Sequence, residues 1–100
     1  MSGIFKRLFS TRPKTDFESL IANGAIVVDV RTEGEFAGGH LKNSVNIPLD
    51  QLSKNLSRLK KNKPIIVCCA SGMRSSSARS ILLNNGFAEV YNVGSWRNLQ

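Results

Sequence analysis

Two short segments, Ala25–Val30 (AIVVDV) and Ile65 to Cys68 or Cys69 (IIVCC), are apolar at nearly every position instead of at every second one. A strand with one wet face alternates; an unbroken run of mostly β-branched residues marks a strand covered on both faces, as in a parallel sheet between helical layers. Parallel neighbours cannot be joined by tight hairpins, so the segments between them must supply crossovers. Thr15 with Glu18 reads as a capping box, and Phe17, Leu20 and Ile21 share a helical face before Gly24, which predicts a helix over about Asp16 to Asn23. Thr32 to Phe36 reads as one helical turn stopped by Gly38 and Gly39, and Ser44 to Ile47 as a short strand closed by Pro48. Leu49, Leu52, Leu56 and Leu59 recur at helical spacing and predict one continuous amphipathic helix. From Ser75 the chain turns helical again, with Ala78, Ile81 and Leu82 inward and Asn84, Asn85 and Gly86 as the stop; Ala88 to Val93 reads as a last strand. Four strands alternating with helices specify an α/β layered fold with a mainly parallel sheet.

A chain of 100 residues accommodates one core. Its longest apolar stretch, Ile65 to Ala70, is far shorter than the roughly 18 residues of a membrane span. Cys68 and Cys69 are adjacent, and neighbouring Cα atoms about 3.8 Å apart are too close for an unstrained disulfide, so a reducing, cytoplasmic setting is expected. Fourteen Lys and Arg against seven Asp and Glu give a net charge of +7, which invites an anionic partner. Residues 1–14, MSGIFKRLFSTRPK, form a basic arm set apart from a domain over 15–100. Lys6 and Arg7 split its apolar residues, which disfavours a secretory signal. Zinc-finger, RNP and Gly-rich phosphate signatures are lacking, and Tyr91 and Trp96 lie away from the basic residues, so nucleic acid is not expected as a partner. One histidine and two adjacent cysteines make no metal-ligand pattern.

Chemistry concentrates where the second buried run ends. In an open α/β sheet, ligands bind beyond the carboxyl ends of the strands. There the loop Cys69-Ala70-Ser71-Gly72-Met73-Arg74 leads into a helix. Gly72 permits a tight bend, successive backbone N–H groups then converge, and the helix directs its positive end to the same point. Each influence favours thiolate over thiol at Cys69. Arg74 either adds charge at the rim or packs outward against a neighbour, and Met73 makes the rim more apolar. Cys68, still inside the strand, reads as core. Asp29, Arg31 and Glu35, crowded beside the first buried strand, read as an ion-pair network bracing this edge. His40 suits a structural hydrogen bond, and Trp96 a place closing the core. Lys54, Arg58, Lys60, Lys61 and Lys63 form a basic run that reads as a solvated face, or else as an attractor of anionic substrates or an acidic protein.

Two motifs, D-V-R-x-x-x-E-F-x-x-G-H-L from Asp29 to Leu41 and C-x-x-G-x-R-S from Cys69 to Ser75, make the chain from residue 15 to about 96 resemble a single-domain rhodanese, a thiosulfate and persulfide sulfurtransferase. The resemblance implies a three-layer fold, a mainly parallel sheet of four to five strands with helices on both faces, and a further short strand near the N-terminus. It implies that Cys69 accepts the sulfur and that residues 69–74 cradle it. The implied donor is a small anion such as thiosulfate, or a persulfide; the implied acceptor is cyanide, a thiol or a protein, with no metal or organic cofactor. Two rivals stand beside it. Counted from Cys68, the loop also spells the C-x5-R spacing of a phosphatase of similar fold, and the same fold serves noncatalytic binding modules.

Overall fold

The computed structural model describes residues 15–100. Among these the chain forms α1 (Phe17–Ala22), β1 (Ile26–Asp29), α2 (Glu33–Ala37), β2 (Val45–Asn46), α3 (Leu49–Leu52), a 3-10 turn (Leu56–Arg58), β3 (Ile65–Cys69), α4 (Met73–Asn84), β4 (Val90–Ser95) and a closing 3-10 turn (Trp96–Leu99). The strand order is β2-β1-β3-β4 and every pairing is parallel. The chain steps outward from β1 to β2 and then returns past β1 to β3. That reversal opens a crevice at the carboxyl ends of β1 and β3.

Period-two geometry sorts the side chains of the two buried runs onto the two faces of the one sheet, so that the core of the domain is two apolar layers. Val28, Val30, Ile65, Val67, Cys69 and Val90 meet Leu52, Leu59, Ala78 and Leu82 on one side of the sheet. Val27, Ile66, Cys68 and Val93 pack on the other side with Trp96, Phe17, Leu20 and Leu99. Helical elements therefore cover both faces, as unbroken apolar strands require. Val28, Ile65, Ile66 and Val67 are completely buried, and each contributes about 1.5–3 kcal/mol through apolar burial.

Several element boundaries differ from the sequence expectation. The cap of α1 is Asp16, whose carboxylate accepts from the Ser19 amide at 3.0 Å, and not Thr15. A capping box does form at α2, between Thr32 and Glu35. The leucine stripe is not one helix: α3 ends after Leu52 and only a 3-10 turn follows at Leu56. Asn55 donates its side-chain amide to the Gln51 carbonyl at 2.7 Å, one of the local bonds by which such residues compete with helix. All four leucines still meet the same core, so the burial pattern survives the break. Phe87 is drawn into that core, which starts β4 at Val90, where Ile65 pairs with it, and not at Ala88. The fifth strand expected near the N-terminus has no counterpart in residues 15–100, and the basic arm of residues 1–14 lies outside the described residues.

Candidate active site

Cys69 is the last residue of β3, and Ala70, Ser71 and Gly72 carry the chain around to α4. The helix begins at Met73, earlier than the Ser75 start expected from sequence. Gly72 explains the difference: it caps the helix with φ of +113°, a left-handed conformation costly for residues with a Cβ. Its carbonyl then accepts the first helical bond from the Ser76 amide at 3.0 Å. Met73 and Arg74 consequently belong to the first helical turn.

This turn aims its donors at one sulfur. The Gly72 amide donates to Cys69 Sγ at 2.9 Å, the Ser75 amide approaches it at 3.4 Å, and Ser75 Oγ lies 3.4 Å away. Burial, the largest single influence, pushes the Cys69 thiol up; hydrogen bonds to its charged form from the Ser75 hydroxyl and from the amides of Ser75, Gly72 and Ser71 together outweigh it and leave Cys69 below the ordinary cysteine value. The amino end of the 12-residue α4 adds its dipole to the same atom. Ala70 and Ser71 are exposed above it, and Met73 is 82% exposed at the rim.

Cys68 points the other way. It is fully buried among Val27, Ile66, Val93 and Trp96. Burial, followed by the nearby Asp29 carboxylate, pushes its thiol up to about 12. No loop amide reaches it. The C-x5-R count from Cys68 is therefore a coincidence of spacing, because an anion held by this loop cannot meet a sulfur on the opposite face of the sheet.

The ion-pair network expected of Asp29, Arg31 and Glu35 is built from two side-chain ion pairs, with Arg31 Nη1 also 3.5 Å from the Glu35 carbonyl oxygen. Arg31 grips Asp29 through Nε and Nη2, with the shortest contact 2.7 Å, and both side chains are buried. Arg31 Nη2 also donates to the Gly39 carbonyl at 2.7 Å, and its guanidinium lies 4.7 Å from the Trp96 ring centroid. Glu35 turns away to Arg74, forming a two-pronged pair at 2.7 and 3.0 Å. Arg74's hydrogen bonds are the main reason that the Glu35 carboxyl is held down at about 2. Of the two placements open to Arg74, outward packing against a neighbour is the one observed, with Glu35 as its ion-pair partner. His40 makes its structural bond from the ring: Nδ1 lies 2.7 Å from the Phe36 carbonyl, and the imidazole stacks on Phe36 at 3.7 Å.

Two members of the basic run lie elsewhere. Lys61 and Lys63 precede β3, and Lys61 reaches over Phe87 just before β4, so both sit at the amino edge of the sheet. Cys69 sits at the opposite, carboxyl edge, and an attraction of anionic substrate by those lysines lacks a short path to the sulfur. Beside the loop, Val30, Thr32, Pro48, Leu49, Asp50 and Arg74 line a shallow, mostly apolar depression.

Two contributors escaped the sequence reading. Asn46 donates to the carbonyls of Asp29 and Arg31 at 3.0 and 2.9 Å and ties β2 to the site edge. Asn92, on β4, accepts from the Ser75 hydroxyl at 2.6 Å. Both are asparagines inside strands, where that residue is depleted, and this local conflict was the available signal.

A family model for the Rhodanese-like domain matches residues 13–100. The thiosulfate sulfurtransferase GlpE of Pseudomonas savastanoi is 33% identical over 89% of this chain and 80% of its own. A solved rhodanese with anions from E. coli is 27% identical, with TM-score 0.70 over 75% of this chain and 91% of its own. The human single-domain sulfurtransferase TSTD1 is 25% identical, with TM-score 0.75 over 83% of this chain and 88% of its own.

Proposed function

The chain belongs to the rhodanese-like family, and on that footing we propose that it is a sulfurtransferase whose carrier is a persulfide on Cys69. The observation that carries this reading is the convergence of the Gly72 and Ser75 amides on the Cys69 sulfur at the amino end of α4. In the first half-reaction the Cys69 thiolate attacks the outer sulfur of thiosulfate or of a persulfide. The donor's S–S bond breaks, its electron pair leaves on sulfite or on a thiolate, and Cys69 retains the outer sulfur. In the second, cyanide, a thiol or a thiol of an acceptor protein attacks that outer sulfur and releases the Cys69 thiolate. The charge resides on sulfur at both stages, so fixed amides and the helix end serve the whole cycle by electrostatic preorganisation. Ala70, Ser71, Gly72, Met73 and Arg74 shape the cradle, while Asp29, Arg31, Glu35 and His40 support its edge.

No helix among the described residues is long and apolar enough to cross a membrane. A reducing, cytoplasmic setting is part of this proposal, and the free state of the adjacent Cys68 and Cys69 is consistent with it. Treatment with thiosulfate, followed by mass spectrometry without reductant, tests the central claim. A mass increase of one sulfur atom located on Cys69 is expected, and its absence overturns the proposal.

A further inference from the structure

The Ser75 hydroxyl has one proton and three polar neighbours. Asn92 Oδ1 lies at 2.6 Å, the Gly72 carbonyl at 3.1 Å and Cys69 Sγ at 3.4 Å. The shortest contact claims the proton, and Ser75 Oγ then turns a lone pair toward the sulfur. That arrangement suits an S–H donor. A thiolate needs the reverse, a hydroxyl that donates to sulfur, and Ser75 supplies it only by rotating away from Asn92.

The fold places Asn92 for this contact. β4 pairs Val67 with Asn92 and then Cys68 with Gly94, a bulge that skips Val93 and leaves Asn92 on the face beneath the start of α4. Gly94, with φ of +80°, donates its amide to Asn92 Oδ1 at 2.9 Å, and Asn92 Nδ2 lies 3.4 Å from the Gly72 carbonyl. Asn92 belongs to neither apolar core, so packing does not account for it.

We infer that Asn92 is a positioning residue for sulfur transfer: it holds the Ser75 hydroxyl proton while Cys69 is a thiol and yields it when the sulfur becomes anionic. On ionisation the Cys69 S–H bond breaks, its electron pair stays on sulfur and the proton passes to water; the Ser75 hydroxyl then rotates to donate to the anion. This inference rests on Cys69 being the reacting residue. The other charged groups around the sulfur are already committed. Arg74 from α4 is paired with Glu35 from α2, Arg31 with Asp29 at the end of β1, and Cys68 is held at about 12. His40, the only imidazole, is stacked on Phe36.

The pH dependence of iodoacetamide alkylation at Cys69, localised by tandem mass spectrometry on the full chain, provides the test. Ser75→Ala removes the donor and raises the inflection by about half to one pH unit. Asn92→Ala removes the competing acceptor and lowers the inflection, whereas Asn92→Asp, a stronger acceptor, raises it. A merely structural role would move Ser75→Ala and Asn92→Ala in the same direction. An inflection that stays put or rises in Asn92→Ala overturns the inference. Melting curves establish that each variant folds; where Asn92→Ala does not, a rise in Asn92→Asp that is undiminished in a Ser75→Ala background, where only charge repulsion remains, overturns it instead. Alkylation requires no sulfur donor, so failure of the persulfide experiment refutes the sulfurtransferase reading without altering this result.

Discussion

Cys68 and Cys69 share a peptide bond and a strand, and both are fully buried, yet the sheet delivers them to different surroundings. Cys68 enters an apolar layer with Trp96 and the buried Asp29–Arg31 pair nearby, where a thiolate has little to stabilise it. Cys69 enters the other layer at its open end, beneath two amides and a helix terminus. Burial penalises ionisation in both. Only at Cys69 do hydrogen bonds to the charged form outweigh it, so equal burial leads to opposite shifts in the two thiols.

The widest separation between the two is expected in activity. Cys69→Ser lowers thiosulfate:cyanide sulfur transfer by about a thousandfold or more, while Cys68→Ala leaves it nearly unchanged. Loss of activity in Cys68→Ala with a folded protein breaks the contrast. Next in size is the face that holds Cys68. Arg31→Leu strands the Asp29 carboxylate in the interior and costs about 3–5 kcal/mol in urea unfolding. Cys68→Ala costs about 1–2 kcal/mol in the same measurement, by leaving a small cavity. A Cys68 that carried function rather than packing would reverse this order of stability and activity losses.

The smallest effect belongs to the exposed pair at the rim. The folded-state Glu35 carboxyl is held at about 2, below its ordinary value of 4.5, chiefly by its hydrogen bonds from Arg74. A depressed carboxylate adds stability above its unfolded value and loses it as the pH falls through the folded one. The melting temperature of wild type should therefore exceed that of Glu35→Gln near neutrality, with the gap closing between 4.5 and 2. Solvent screening keeps the difference small, and added salt should shrink it further. A gap that persists below pH 2 would break the attribution of Glu35's contribution to its ion pair with Arg74.

Much of this was legible from residue order alone. Unbroken apolar runs require a sheet covered on both faces, and alternation within Ile65–Cys69 already separates the two cysteines onto opposite sides. A glycine-containing loop at the tip of a buried strand marks the candidate site. The leucine stripe identified the right buried side chains but the wrong element, because hydrophobic spacing reports which residues face the core and not how the backbone between them bonds. Tertiary structure alone decided the pairings across elements. Arg74 meets Glu35 across 39 positions and Ser75 meets Asn92 across 17, through a bulge in β4 that no local pattern announces. Hydrogen-bond partners form where strands and helices come into register, and that register is a property of the assembled sheet. Sequence therefore determined which sulfur is exposed to the loop, and the fold determined which groups surround it.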